Sequence, residues 1–243
     1  MKFVVDTHTH TISSGHAYST VQEMAREASV NGIEMFAVTD HGPKMKGAPY
    51  LYHFGNLRVI PETLYGVRIL KGVEANIIDY DGNVDMPDEY LRRLDFAMAS
   101  FHDICITPGT KEEHTNAYIN IMKNPFIDAI AHPGTPQFEV DIEKVVLAAK
   151  EYGKFIEINN HSFVVRAGCE ENCRNFAAEC KKHGVKIVCG SDAHISFEVG
   201  KFERVERLLE EVGMPESLIM NTSVSNFNEF IENKRKRIKR GKE

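Results

Sequence analysis

Two histidines and an acid follow the first apolar stretch of the chain, and they are the first residues with an evident chemistry. Residues 3–5 are typical of a strand buried on both faces, and Asp6-Thr7-His8-Thr9-His10 comes next. Because side chains alternate along a strand, His8 and His10 project to the same side and can bind one cation together. The alternative is one solvent-facing histidine and one that is bonded to a backbone carbonyl.

Acids and histidines also accompany most of the later apolar stretches. They are His41, Glu74, His102, His132, Asp192 and His194, with Glu74 inside its stretch rather than after it. A single histidine after a strand is more often bonded to a carbonyl than to a metal. The repetition over six strands favours one shared site.

The hydrophobic pattern predicts alternating strands and helices. Strands are predicted at residues 3–5, 34–38, 68–78, 94–100, 127–131, 155–158 and 185–189. Helices are predicted from residue 19 to about 30 and at 56–65, 110–122, 141–152, 169–183, 199–211 and 225–238. Capping boxes are predicted at Ser19 with Gln22 and at Thr110 with Glu113. Residues 43–56, rich in Pro, Gly and aromatic residues, are interpreted as an active-site loop.

This alternation indicates an α/β fold with a parallel sheet, either a barrel or a doubly wound sheet. Neither Gly-x-Gly-x-x-Gly nor a Walker loop is present in the sequence, which disfavours a nucleotide-binding open sheet. In an α/β barrel the C-terminal ends of all strands open on one face. The acids and histidines named above would therefore converge there.

Together with His16, these residues form a set of nine nitrogen and oxygen donors. Such donors suit Zn, Mn or Fe rather than the all-oxygen sites of Mg or Ca. Nine donors exceed what one ion binds, so we expect a carboxylate that bridges two ions, and Glu74 is the candidate. Grouped divalent ions lower the pKa of bound water to about 7 and bind phosphoryl oxygens. Asp6 and Asp40 are expected to accept the second N–H of ligand imidazoles.

The composition is that of an ordinary globular protein, with 42% hydrophobic and 26% charged residues. The net charge of −6 is unevenly distributed, because residues 234–242 hold seven of the 29 Lys and Arg residues and the remaining body is strongly acidic. An acidic body argues against a nucleic-acid partner. The basic C-terminal tail, 234–243, is interpreted as a solvated helix end rather than a phosphate-binding segment.

Cysteine usage and hydropathy suggest the cellular location. Five cysteines without a Cys-x-x-Cys pair indicate free thiols in a reducing compartment. The sequence has no signal peptide and no apolar stretch near the ~18 residues of a membrane span. We therefore expect one domain, 1–243, in the cytoplasm and without a membrane partner. The oligomeric state, including a homo-oligomer, stays open.

Five segments resemble the motifs of the PHP (polymerase and histidinol phosphatase) superfamily. They are Asp6-Thr7-His8-Thr9-His10, Thr39-Asp40-His41, Gly72-Val73-Glu74-Ala75-Asn76, Ala131-His132-Pro133 and Gly190-Ser191-Asp192-Ala193-His194. The stretches around His53, 159–163 and 191–194 are similar to the YcdX-type phosphatase subfamily, which often has serine where this chain has His161. The resemblance implies a distorted, TIM-like (β/α)7 barrel in a single domain, with three metal ions that are usually zinc.

The resemblance also implies a ligand set for each ion. It assigns His8, His10, Glu74 and Asp192 to the first ion, His16, His41 and His194 to the second, and Glu74, His102 and His132 to the third. Zinc is expected, with Mn or Fe as alternatives. The expected nucleophile is a metal-bridging hydroxide held by Glu74, His10 and Asp192. Three divalent cations outweigh the charges of these ligands, which favours a phosphate dianion as the substrate group.

Three further residues are candidates for contact with the substrate. Arg166 could bind phosphate oxygens in a bidentate manner, or pair with Glu170 on the surface. Asn160 could donate to the substrate or only stabilise a turn. His53 could be a lid residue, an acid for the leaving group or an ordinary exposed histidine.

The function expected from the sequence is that of a metal-dependent phosphatase acting on a small phosphomonoester, with no covalent enzyme intermediate. One alternative is a PHP-type phosphodiesterase or 3′–5′ exonuclease, against which the acidic body and the lack of a basic, aromatic groove argue. Another alternative is a histidinol phosphatase, which is also a phosphomonoesterase. The third is a non-enzymatic metal-binding module, although structural zinc sites are usually closed and often rich in cysteine.

Overall fold

A sheet of parallel strands forms the frame of the computed structural model, which describes residues 1–240. The strands are β1 (Val5–Thr9), β2 (Met35–Val38), β3 (Thr63–Leu64), β4 (Val67–Asn76), β5 (Phe96–Ser100), β6 (Ala129–Ile130), β7 (Phe155–Asn159) and β8 (Ile187–Gly190). Their order in the sheet is β1-β2-β4-β5-β6-β7-β8, and β3 pairs only with β4, in antiparallel fashion. All other neighbours in this order are parallel.

The sheet nearly closes on itself where the end of β8 meets β1. The backbone N–H of Asp192 donates to the carbonyl of His8 at 2.8 Å, and that of His10 donates to Ala193 at 2.9 Å. The hydroxyl of Thr7 also donates to the carbonyl of Cys189 at 3.0 Å. The molecule is therefore a nearly closed barrel of seven parallel strands, which confirms the prediction of a distorted TIM-like (β/α)7 barrel.

Helices connect the strands along the outside of the barrel. They are α1 (Val21–Val30), α2 (Leu51–Asn56), α3 (Asp88–Leu91), α4 (Lys111–Met122), α5 (Ile142–Tyr152), α6 (Ser162–Val165), α7 (Cys169–His183), α8 (Glu203–Val212) and α9 (Val224–Arg240). The capping box at Thr110 and Glu113 is confirmed. The first box is shifted by one residue from its predicted place, because Thr20 and Glu23 form it instead of Ser19 and Gln22.

The helix predicted at 56–65 is wrong beyond residue 59, because only the short 3-10 helix Leu57–Val59 follows α2 there. Helix α2 lies earlier, inside the segment interpreted as a loop, and residues 63–68 form a β-hairpin between β3 and β4. Its two-residue turn, Tyr65-Gly66, has positive φ at both positions, 51° and 80°. Such a turn matches the twist of paired strands, so local turn chemistry overrode the apolar periodicity.

Two apolar cores lie on the two sides of the barrel wall. The outer core packs helices such as α1, α5 and α7 against the strands. The inner core fills the barrel with residues including Val5, Leu70 and Met98, and it continues into Phe227 and Ile231 of α9. Helix α9 therefore closes the N-terminal end of the barrel, opposite the end where the candidate ligands gather.

The interpretation of the basic C-terminal tail as a solvated end is wrong for Lys234. Its side chain is buried and pairs with the buried Asp128, which directly precedes β6. The neighbouring Arg235 pairs with Asp95 at 2.7 Å. The guanidinium of Arg237 donates to the carbonyl of Pro125. Apolar packing of α9 places these cations against the barrel, and the sequence pattern alone does not show that. Residues 241–243 of the tail lie outside the described residues.

All five cysteines are free, as predicted, and all five are buried. Among residues 1–240, no helix is both long and apolar enough to cross a membrane.

Candidate metal centre

Nine side chains converge at the C-terminal end of the barrel, and we call them the histidine–acid cluster. They are His8, His10, His16, His41, Glu74, His102, His132, Asp192 and His194. Strands β1 and β4 carry His8 and Glu74, and the segments after β1, β2, β5, β6 and β8 carry the others. A cavity of about 390 Å³ opens over the cluster. The fold thus brings all nine predicted ligands together.

Four donor atoms form the innermost group of the cluster. The Nε2 atoms of His8 and His10 lie 3.1 Å apart, and they lie 3.3 and 3.4 Å from Oε2 of Glu74. Oδ1 of Asp192 lies 3.6 and 3.2 Å from the same two nitrogens. Four ligands at tetrahedral zinc distances would be separated by about 3.4 Å. The spacing of this group therefore suits one divalent ion.

Glu74 connects the innermost group to the neighbouring histidines. Its Oε1 lies 2.8 Å from Nε2 of His132 and 3.3 Å from Nε2 of His102. Its Oε2 also lies 2.7 Å from Nδ1 of His41. Both carboxylate oxygens therefore face imidazole nitrogens, as a bridging ligand requires.

The outer side of the cluster is formed by His16 and His194. Their Nε2 atoms lie 3.1 Å apart. The ring of His41 is stacked on that of His16, with 5.1 Å between centroids, and the ring of His10 lies 4.4 Å from that of His194. Ligand atoms of His10, His41 and His194 lie within 4.8 Å of one another.

Hydrogen bonds donated by Nδ1–H fix five of the seven imidazoles in one orientation. The acceptors are Glu157 for His8, Ser14 Oγ for His10, the Ser14 carbonyl for His16, Asn76 for His102 and the Asp192 carbonyl for His194. An Nδ1–H that donates to the protein leaves Nε2 with a lone pair. Two pairs of Nε2 atoms face each other at 3.1 Å, an arrangement that needs either a proton or a metal ion between the two nitrogens.

Unpaired polar atoms and backbone strain mark the same place. Oε2 of Glu74 and Nδ1 of His41 and of His132 are buried without a hydrogen-bond partner among the described residues. His132 and Asp192 have positive φ, 31° and 56°, which is costly for residues with a side chain. Buried polar atoms without hydrogen-bond partners, next to ligands with positive φ, are consistent with a site that binds several metal ions.

The two acids of the cluster are held in the ionised form. Burial would raise the pKa of Glu74, but imidazoles such as His41 and His8 hold it well below its usual range. Burial opposes ionisation of Asp192 in the same way, and His8 and His10 hold its pKa well below the usual value. Both carboxylates are thus ready to bind a cation.

The surroundings of the histidines shift their pKa values in different directions. Burial, together with His41, holds the pKa of His10 well below its usual value, and burial lowers the pKa of His132 to about 4. Both are neutral at pH 7, as metal ligands must be. Burial would also lower the pKa of His8, but Glu157 and other carboxylates raise it well above its usual value. Without a metal, His8 is therefore protonated, and a metal ion that binds its Nε2 must displace that proton.

Glu157 is a functional residue that sequence reasoning missed. It is buried in β7, its Oε1 accepts from Nδ1 of His8 at 2.8 Å, and its Oε2 accepts from the backbone N–H of His132 at 2.7 Å. The available signal was an acid inside an apolar strand, the feature that singled out Glu74. Glu157 orients two candidate ligands from the side that faces away from the cavity.

The two aspartates expected behind the ligands behave differently. Asp40 acts through Ser14, whose hydroxyl donates to Asp40 at 2.7 Å and accepts from Nδ1 of His10 at 3.0 Å. For Asp6 the expectation is wrong. Its carboxylate accepts the backbone N–H groups of Ser191 and Gly200, at 3.0 and 2.9 Å, and so holds the loop after β8.

The three candidates for substrate contact lie in different places. Arg166 lines the cavity, where its guanidinium donates to Ser162 at 3.0 Å and lies 3.5 Å from Oδ2 of Asp192. The structure does not bring Asn160 to the cavity, because its side-chain oxygen accepts backbone N–H groups at the start of α8. His53 lies on α2, with Nε2 3.3 Å from Oδ2 of Asp40, and does not line this cavity either.

Comparison with known proteins places the chain in a family. The model of the PHP domain matches residues 6–161. The chain belongs to the PHP family. A probable phosphatase of Acetivibrio thermocellus is 78% identical over 99% of this PHP protein and 100% of its own length. A probable phosphatase of Clostridium botulinum strain Langeland is 50% identical, with 97% of each chain covered.

A solved structure resembles this PHP protein in its fold. It is histidinol phosphate phosphatase from Lactococcus lactis, complexed with zinc, L-histidinol and phosphate. Its TM-score is 0.65 at 18% identity, and the match covers 88% of this chain and 95% of the other. The predicted PHP resemblance is confirmed by the family match and by these relatives.

Proposed function

We propose that this PHP protein is a metal-dependent phosphatase that hydrolyses a small phosphomonoester with the help of three divalent ions. The observation that carries the proposal is the set of imidazoles whose Nδ1 atoms donate to the protein and whose bare Nε2 atoms converge beside Glu74 and Asp192. The relatives named probable phosphatases support the same activity.

The proposed ligand sets are those that the PHP resemblance implies. His8, His10, Glu74 and Asp192 would hold the first ion, His16, His41 and His194 the second, and Glu74, His102 and His132 the third. Zinc is the ion we propose, with manganese or iron as alternatives, because mixed imidazole and carboxylate donors suit these metals. The zinc in the Lactococcus structure agrees with this choice.

The chemistry divides between the ions and the protein. Divalent ions, when bound, supply a hydroxide nucleophile at neutral pH and neutralise the charge of a phosphoryl group. Glu74, His10 and Asp192 would surround that nucleophile. Arg166 lies at the cavity wall, where its guanidinium can exchange its long contact with Asp192 for a phosphate oxygen. The cavity of about 390 Å³ favours a small monoester over a polymer.

Removal and return of metal tests the proposal. The purified protein is treated with a chelator, its metal content is measured, and hydrolysis of p-nitrophenyl phosphate is assayed before and after zinc, manganese or iron is added back. We expect at least a hundredfold loss on chelation, recovery with one of these metals, and low activity and metal content in Glu74→Gln. The exposed control Glu171→Gln should match the wild type.

Unchanged turnover in metal-free protein would contradict the proposal. Labelled single-stranded DNA and histidinol phosphate, assayed beside p-nitrophenyl phosphate, test the alternatives. DNA cleavage that is faster than monoester hydrolysis and is lost in Glu74→Gln would replace the monoester by a diester as the substrate.

A further inference from the structure

The barrel wall is thinly covered beside strand β4. The connection before the β3–β4 hairpin carries the six-residue helix α2, and the connection between β4 and β5 carries the four-residue α3. By contrast, α1, α4, α5 and α7 have 10, 12, 11 and 15 residues. Within residues 39–95 no helix is longer than α2, so α1, which precedes β2, supplies part of the cover of β4.

A cavity of about 940 Å³ opens at this thin wall, and we call it the β4 groove. Four cations line it, Arg58, Lys71, Arg93 and Arg235, with two acids, Glu62 and Asp95. The lining therefore has an excess of two positive charges, although the chain as a whole has a net charge of −6. A local positive groove on an acidic protein concentrates anions at that place.

Most of these cations have no carboxylate partner. Arg235 pairs with Asp95 at 2.7 Å, but within residues 1–240 no carboxylate pairs with Arg58, Lys71 or Arg93. Lys71 projects outward from β4, and its Nζ donates to the carbonyls of Ile69 at 3.1 Å and Pro61 at 3.3 Å. Its ammonium is thus held in place by neutral acceptors and forms no ion pair among the described residues.

Charges of both signs surround Lys71. Partial burial lowers the pKa of Lys71, Asp95 and Glu62 oppose that shift, and Arg68 and Arg235 add to it. An anion placed among these cations would relieve their mutual repulsion.

We propose that the β4 groove is a second anion site, which binds a small phosphorylated molecule away from the histidine–acid cluster. Arginine side chains can bind phosphate oxygens in a bidentate manner, and a lysine supplies a point charge. The excess of two positive charges suits a phosphate dianion. Tyr52 and Tyr90 in the groove wall offer aromatic surface to the remainder of the molecule.

Titration calorimetry with inorganic phosphate at low ionic strength tests this site on the metal-loaded protein. We expect two classes of phosphate site in the wild type, one in the cluster and one in the groove. The double variant Lys71→Met/Arg93→Gln should bind the groove phosphate at least tenfold more weakly and keep its hydrolysis of p-nitrophenyl phosphate. Arg58→Gln/Arg93→Gln, at two exposed positions, gives the same test if Lys71→Met fails to fold.

Two controls separate this proposal from the proposed function. Arg26→Gln/Lys144→Met removes the same charge at exposed positions elsewhere and should retain both classes. Glu74→Gln disables the cluster and should retain the groove class alone. Either of two results would overturn the proposal. One is a single class of phosphate site in the wild type that only Glu74→Gln removes. The other is two classes of phosphate site in both groove variants.

Discussion

At the scale of single residues, the candidate metal centre depends on the residues that orient its ligands as well as on the ligands themselves. Glu157 contacts the imidazole of His8 with one oxygen and the backbone of His132 with the other. The charge of Glu157 fixes which nitrogen of His8 keeps a free lone pair. Gly190 makes this packing possible, because a Cβ there would lie 2.3 Å from Oε1 of Glu157 and from Cβ of His8.

Substitution of Glu157 by Gln is predicted to weaken metal binding. The variant keeps the size of the side chain but removes the charged acceptor for His8. Loss of such a partner typically costs about 10- to 100-fold in metal affinity. Metal affinity, measured by competition with a coloured chelator, should fall by that factor. The exposed control Glu170→Gln should leave it unchanged, and equal affinity in Glu157→Gln would refute the role.

Arg166 allows a second prediction at this scale. Its guanidinium donates to Ser162 and lies near Asp192 at the cavity wall. If it binds the substrate phosphate, Arg166→Gln loses a charge-assisted hydrogen bond of about 1.5–3 kcal/mol, so kcat/KM should fall about 10- to 150-fold. Metal content should stay at the wild-type level. A fall in metal content of the same size would show that Arg166 only holds Asp192.

At the scale of elements, the strands were predictable and some of the helices were not. The apolar runs and the histidines that follow them in the sequence are local signals. The predicted strands, and the convergence of these histidines at the C-terminal end of the barrel, therefore agree with the structure. Helix α2 and the β3–β4 hairpin were missed, since their positions depend on a turn with two positive φ values and on docking against β4. The positions of Asn160 and His53 outside the cavity were not predictable for a similar reason, because tertiary packing decides which way a side chain after a strand points.

Helix α9 provides the prediction that belongs to this scale. Its Lys234 is buried against Asp128, and Oδ1 of that aspartate has no partner among the described residues. Lys234→Met leaves the carboxylate buried and unpaired, which typically costs about 3–5 kcal/mol. Urea unfolding should show a loss of that size.

Two further variants make the comparison with Lys234→Met specific. Lys234→Met/Asp128→Asn removes both charges and should regain most of the lost stability. Lys236→Met changes an exposed lysine of the same helix and should stay within about 0.5 kcal/mol of the wild type. A loss in Lys236→Met as large as in Lys234→Met would attribute the effect to the helix as a whole.

At the scale of the whole molecule, the sequence predicted how the chain closes but not where its charges lie. The barrel follows from alternating strands and helices, and the metal centre from residues that the barrel collects at one end. The burial of Lys234 and the excess of cations in the β4 groove involve side chains far apart in sequence, such as Lys71 and Arg235. No local pattern links them, so only the folded structure reveals either feature.

The buried cysteines predict how the stability of the whole molecule depends on alkaline pH. Burial raises the pKa of Cys105 to about 12, and it also raises the pKa of Cys180 and of Cys189 above the usual thiol value. Unfolded thiols titrate near pH 8.5, so above that pH the unfolded chain loses protons that the folded chain keeps. The folded state then binds more protons, and the free energy of unfolding must fall as the pH rises.

Cys180→Ala isolates one of these thiols. Each thiol contributes up to about 1.4 kcal/mol per pH unit to the slope once the unfolded form is ionised. The variant should be less stable at pH 7, because it loses buried volume, but its free energy of unfolding should fall less steeply between pH 9.5 and 10.5. Val185→Ala, a neighbouring buried position without a titratable group, should lose stability and keep the wild-type slope. Equal slopes in Cys180→Ala and the wild type, measured by urea unfolding under reducing conditions, would show that the folded chain does not hold this proton.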